Sequence, residues 1–156
     1  MKTTLLLGAV LIGAAMMQMP STPPVKMGLW ESTINTTVKL PPGAPSFLGG
    51  GPRTTVMRVC FTPDSWAKGV GPQQDQKSCV RSNEVYSSTG FSFDMSCSKG
   101  KRTSHYETTF DSPAALHGTV HTDSGPQGVT IDSATTSHFI SSDCGTVTPD
   151  KPVTVH

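Results

Sequence analysis

The sequence predicts an all-β protein, an antiparallel meander of about seven strands forming a barrel-like or sandwich domain. One short helix near residues 63–68 and two disulfides complete the expectation. Three observations carry it. Segments alternate between apolar and polar residues with a period of two, the signature of half-buried strands. Turn signals rich in Gly, Pro, Ser and Asp recur at hairpin-like spacing. Ser and Thr make up 39 of the 156 residues, as expected for the solvent faces of alternating strands.

Each element follows in turn. Gly28–Leu40 (GLWESTINTTVKL) places Trp30, Ile34, Thr36, Val38 and Leu40 on one face, with Glu31, Thr33, Asn35, Thr37 and Lys39 on the other. Pro41–Pro52 (PPGAPSFLGGGP) is punctuation throughout and reads as a long loop. Arg53–Phe61 is a second β-rich run, antiparallel to the first. Thr62-Pro63-Asp64 then supplies a cap residue, a Pro at the first helical position and an acid in the first turn. That helix ends at Gly69. Ser78–Tyr86 and Phe91–Ser98 flank Ser87-Ser88-Thr89-Gly90, a hairpin signal. After the Ser98–Lys101 turn, Tyr106, Thr108 and Phe110 alternate with His105, Glu107 and Thr109. Leu116, Gly118 and Val120 mark the next strand face, and Val129–Ser141 the last long strand. There is no βαβ alternation, hence no parallel sheet, and no internal repeat.

The chain's start reads as an export signal. Lys2 precedes an apolar run, Leu5–Ala15, and Gly13-Ala14-Ala15 offers small residues for cleavage after Ala15. The boundary could lie as late as residue 24. The run is shorter than the roughly 20 residues a membrane-spanning helix needs, so no membrane span is expected after its removal. The expected organisation is a signal peptide over 1–15, one β domain over 25–145 and a flexible tail over 146–156. Twelve basic residues face 11 acidic ones, and losing Lys2 makes the charge neutral. That balance removes the electrostatic case for a nucleic-acid partner.

Cys60, Cys79, Cys97 and Cys144 form an even set with no CxxC or CxxH spacing. In an exported chain they read as two disulfides. Four cysteines allow three connectivities. Cys60–Cys79 with Cys97–Cys144 is the favoured pair, since the first bridge would hold Thr62–Lys77 and the second would tie the last strand back.

Gly28-Leu29-Trp30-Glu31 opens the domain, followed by Cys60-Phe61-Thr62-Pro63, Cys79, Phe93-x-Met95-x-Cys97 and Asp143-Cys144. In this order and spacing, across roughly residues 25–145, the chain resembles the bacterial DUF3617 family of small exported proteins of unknown function. The resemblance implies a periplasmic or envelope location and an all-β body with two disulfides; with the export signal, the expected location is periplasmic or secreted. It implies no catalytic or ligand residues. Two departures stand out: the Pro41–Pro52 loop is Gly-rich, and the chain continues past Cys144.

Five histidines raise metal chemistry: His105, His117, His121, His138 and His156. His117 and His121 are four residues apart, ~13 Å along a strand, too far to share one ion unless the backbone bends at Gly118. His105 and Glu107 share a strand face, which a hairpin would place beside His117 or His121 at ~5 Å. A metal site of His105, His117 and His121 is therefore the alternative function. Catalysis has little support: no Gly-x-Ser-x-Gly, Ser-x-x-Lys or His-Glu-x-x-His occurs, and a hydrolase stays a remote third reading. No cofactor is expected. Trp30 and Trp66 are the candidate ligand-binding residues, placed to line an apolar pocket or to pack in the core; Trp30, on a patterned strand, reads more as core, and Trp66, beside Gly-rich sequence, as more open to binding. The leading expectation is a non-catalytic exported domain that binds a small apolar ligand or an envelope component.

Overall fold

The computed structural model describes residues 23–45, 50–70, 78–99, 101–125, 128–149 and 151–155. The expected signal peptide lies outside them, as does His156. The elements run β1 (Gly28–Lys39), β2 (Gly51–Phe61), α1 (Pro63–Val70), β3 (Cys79–Ser87), β4 (Gly90–Cys97), β5 (Arg102–Ser112), β6 (Ala115–Asp123), β7 (Thr130–Ser141) and β8 (Val153–Val155). All pairings are antiparallel and form one eight-stranded sheet in the order β3-β4-β5-β6-β7-β1-β2-β8.

The antiparallel all-β class, the one short helix and the two disulfides are as expected, and the strands form one sheet that is not closed into a barrel. After β2 the chain crosses by α1 to the far edge, and the β3–β7 meander works back until β7 pairs with β1. The two edges, β3 and β8, stand at opposite ends of the sheet and do not pair. Residues 153–155, from the segment expected to be a loose tail, form β8 against Val56–Arg58 of β2.

Alternation sorts the sheet into two unlike faces. Register pairs Trp30 with Val59 and Phe139, Ser32 with Met57 and Ser137, and Ile34 with Thr55 and Thr135. The same face continues through Leu116, Val120, Phe110, Tyr106, Phe93 and Phe91. The opposite face carries the histidines and carboxylates. Trp30 is the largest fully buried side chain, at 0% exposure, and its indole Nε1 donates to the Lys26 carbonyl at 2.9 Å. Burying an indole of that size contributes several kcal/mol.

The sheet curls over its aromatic face. Trp66 of α1 packs on Phe61 of β2 at 5.9 Å and on Phe110 of β5 at 5.7 Å, ring centroid to centroid. Those two rings therefore lie within roughly 12 Å of one another, whereas β2 and β5 in a flat sheet would be ~19 Å apart across four strand spacings. Two glycines mark close backbone approaches at β5. A Cβ on Gly118 of β6 would meet the Glu107 carbonyl oxygen at 2.6 Å, and one on Gly90 of β4 would press on that of Thr108. Both neighbouring strands thus approach the β5 backbone more closely than a side chain allows.

α1 begins as its sequence predicts. The Ser65 amide donates to Thr62 Oγ1 at 3.1 Å and the Thr62 amide donates to Ser65 Oγ at 2.8 Å, a reciprocal cap before Pro63. It runs to Val70, one residue beyond the glycine expected to stop it.

The disulfides are Cys60–Cys144 and Cys79–Cys97, which corrects the favoured pairing of Cys60 with Cys79 and Cys97 with Cys144. The reason is register. Cys79 and Cys97 are direct partners on β3 and β4, and Leu29 of β1 lies between Cys60 of β2 and Ser141 at the end of β7. Cys144, three residues past Ser141, closes over the start of β1 onto Cys60.

Candidate functional site

The first candidate is the aromatic face. Nine of the chain's ten aromatic residues form one connected set of ring contacts. It runs from Phe139 through Trp30, Phe61, Trp66, Phe110 and Phe91 to Phe93 and Tyr106, with Tyr86 branching from Phe91. Centroid separations span 4.6 Å for Phe93–Tyr106 to 6.2 Å for Tyr86–Phe91, the range in which aromatic pairs attract beyond simple burial. The Arg81 guanidinium caps the array 3.6 Å above the Phe93 ring. Burial first, and then the Glu84 carboxylate that accepts from it at 2.6 Å, push the Tyr86 hydroxyl up to about 12.

Trp30, one of the two candidate ligand-binding rings, is fully buried and packs as core within this set. Trp66 is half-buried and is the ring that α1 lays over the sheet. Away from α1 the same face changes character. Its hydroxyls bond in cross-strand pairs, Ser32 with Ser137 at 2.7 Å, Thr36 with Ser133 at 3.0 Å and Ser104 with Thr122 at 2.9 Å. Ile34, Val38, Val120 and Ile131 stand half-buried among them. The face thus offers rings at one end and interleaved apolar and hydroxyl groups at the other. A shallow cleft of about 220 Å³ opens at the β3–β4 turn, lined by Val85, Phe91, Ser92, Glu107 and Thr108. It falls short of the 300 Å³ or more typical of small-molecule pockets.

The second candidate is the opposite, charged face. Register aligns Asp94, His105, His121 and Asp132 in one row across β4, β5, β6 and β7. His105 Nδ1 lies 2.7 Å from Asp94, His121 Nδ1 lies 2.6 Å from Asp132, and Lys39 of β1 closes the row on Asp132 at 2.8 Å. Asp94 is held below the ordinary carboxylate range, first by the Asn83 amide and then by His105. Asp132 is lowered first by Lys39 and then by His121. His117, the third residue of the expected metal set, stands apart: its register partners are Thr109 and Thr136, and its Nδ1 meets both Asp111 oxygens at 2.9 Å. His138 Nε2 lies 3.8 Å from Glu31, which also accepts from Arg58. Among the described residues no group of three or more His, Cys, Asp or Glu is arranged to hold a metal ion.

The carboxylate partners of the histidines were missed in the sequence because they come from other strands. The offset that brings Asp94 opposite His105 depends on the β4–β5 turn length, which composition does not fix.

A curled, open antiparallel sheet, stapled by two disulfides and split into an aromatic and a charged face, defines the class of protein. The family described as "Protein of unknown function (DUF3617)" matches residues 25–144, and the chain belongs to that family. No curated protein and no solved structure matches it. Within the described residues no helix is long and apolar enough to cross a membrane.

Proposed function

We propose that this is a non-catalytic domain, exported to the periplasm or cell exterior, that holds a small apolar ligand or an envelope component against its aromatic face. One observation carries the reading. Trp66 of α1 bridges the connected ring array midway, from Phe61 to Phe110, while away from α1 the face carries half-buried Ile34, Val38, Val120 and Ile131 around buried hydroxyl pairs. Such a surface suits a ligand with an apolar body and a hydroxyl-bearing or otherwise polar head. Two disulfides and the apolar run at residues 5–15 support an oxidising, extracytoplasmic setting.

The experiment is native mass spectrometry of protein recovered from exporting cells, with titration of the fluorescent apolar probe N-phenyl-1-naphthylamine. Expected are a retained small molecule and saturable probe binding, weakened at least fivefold by Trp66→Ala. A bare oxidised mass together with no probe binding overturns the proposal.

A further inference from the structure

On the charged face, the geometry points to a two-histidine site for a divalent late-transition cation, formed by His105 and His121. It does not depend on the ligand reading of the aromatic face.

The two residues are direct register partners on β5 and β6, so their Cβ atoms are ~5 Å apart on one sheet face. Each Nδ1 faces a carboxylate on the far side: Asp94 on β4 for His105, Asp132 on β7 for His121. An ionised carboxylate only accepts, so each Nδ1 carries the hydrogen and the neutral ring keeps its lone pair on Nε2. In an imidazole Nε2 lies on the side of the ring away from Nδ1. With the Nδ1 atoms turned outward to β4 and β7, both Nε2 atoms tilt inward over the β5–β6 gap. Two nitrogens on one ion lie at most ~4 Å apart, given metal–nitrogen bonds of about 2 Å. The inward tilt carries the two Nε2 atoms from the ~5 Å spacing of their Cβ atoms toward that separation.

Three further features fit. A histidine ligand typically donates its other ring N–H to a carboxylate, which fixes the tautomer and raises the basicity of the ligating nitrogen. Here both rings have that support. Among the described residues neither Nε2 makes a hydrogen bond. The rings are 55% and 58% exposed, leaving the remaining coordination positions to water. Imidazole ligands with open positions suit Cu²⁺, which tops the affinity order of the divalent first-row ions. All four cysteines are bridged, so no thiolate competes. His117 has its own carboxylate but no second histidine opposite, and is excluded from the site.

The test is calorimetric titration of Cu²⁺ into the oxidised chain, with electron paramagnetic resonance to count nitrogen ligands. Expected is one ion held by two nitrogens. His105→Gln and His121→Gln should each weaken binding at least tenfold, and Asp94→Asn or Asp132→Asn about tenfold. His117→Gln should leave binding within twofold. Circular dichroism checks that each variant folds, which these exposed positions favour, and His105→Ala and His121→Ala serve as second variants. No Cu²⁺ binding overturns the inference, as does binding that survives both replacements or that falls equally with His117→Gln.

Discussion

Cys79 and Cys97 face each other as direct register partners at the open end of the β3–β4 hairpin, so their bridge closes a local unit. Cys60–Cys144 instead spans 84 residues and ties β2 to the segment after β7 across the start of β1. Chain-entropy reasoning assigns about 3 kcal/mol to the 18-residue closure and about 4.5 kcal/mol to the longer one. Replacing Cys60 and Cys144 together by Ser should therefore destabilise more than replacing Cys79 and Cys97. Denaturant unfolding of both double variants measures the order, and non-reducing peptide mapping reads the pairing directly. The reverse order of stabilities would mean that the hairpin, not the β2–β7 clasp, is the weaker unit.

Alternation made the strands and both faces legible. Trp30, Ile34, Thr36 and Val38 share a face in the sheet as in the sequence, and so do His105 and Glu107. Register and closure were not legible. Pairing β7 with β1 brings together strands some 90 residues apart, and no local pattern of alternation specifies which distant strands lie side by side. The cysteine pairing failed for the same reason, since it follows from which strands lie side by side. The histidine row is intermediate: His105 beside His121 was foreseeable across a hairpin, whereas Asp94 and Asp132 needed the register of two further strand pairs.

Gly28 opens the Gly-Leu-Trp-Glu segment for a steric reason. Its φ is +133°, and a Cβ there would overlap the Ser141 carbonyl oxygen. Backbone cannot give way as a flexible side chain can. Gly28→Ala should cost at least about 2 kcal/mol, combining backbone strain with displacement of the β7 end. Gly43→Ala is the control: its φ is +82° but nothing lies within 4 Å of the added methyl. That variant should lose only about 1 kcal/mol. Thermal or urea unfolding compares them, and equal losses would show that φ alone decides.

Acid should weaken the charged face in a defined direction. Asp94 and Asp132 have folded-state values below those of the unfolded chain, held there mainly by Asn83 and Lys39 respectively. A lowered carboxylate contributes stability that is present above its unfolded value, near pH 3.9, and is lost as pH falls through the folded one. The wild type should therefore lose stability below about pH 4 more steeply than the Asp94→Asn/Asp132→Asn double variant. Melting temperatures taken from pH 6 down to pH 2 check this, and parallel acid slopes for the two proteins would remove it.

The buried hydroxyl pair of Ser32 and Ser137 makes the sharpest energetic test. The residues are 6% exposed each, 2.7 Å apart, and come from β1 and β7, the strands whose pairing joins the meander to the N-terminal hairpin. Removing one hydroxyl leaves the other buried without this partner, at a cost of about 1–3 kcal/mol. Removing both leaves no unsatisfied group and only two small apolar methyls. Ser32→Ala and Ser137→Ala should each destabilise by about 1–2 kcal/mol, and the double variant by clearly less than their sum. A coupling energy of about 1 kcal/mol in a double-mutant cycle from urea unfolding is the expected reading. Strict additivity would mean each hydroxyl finds another partner when alone, and that the β1–β7 seam is held by its backbone ladder without help from this bond.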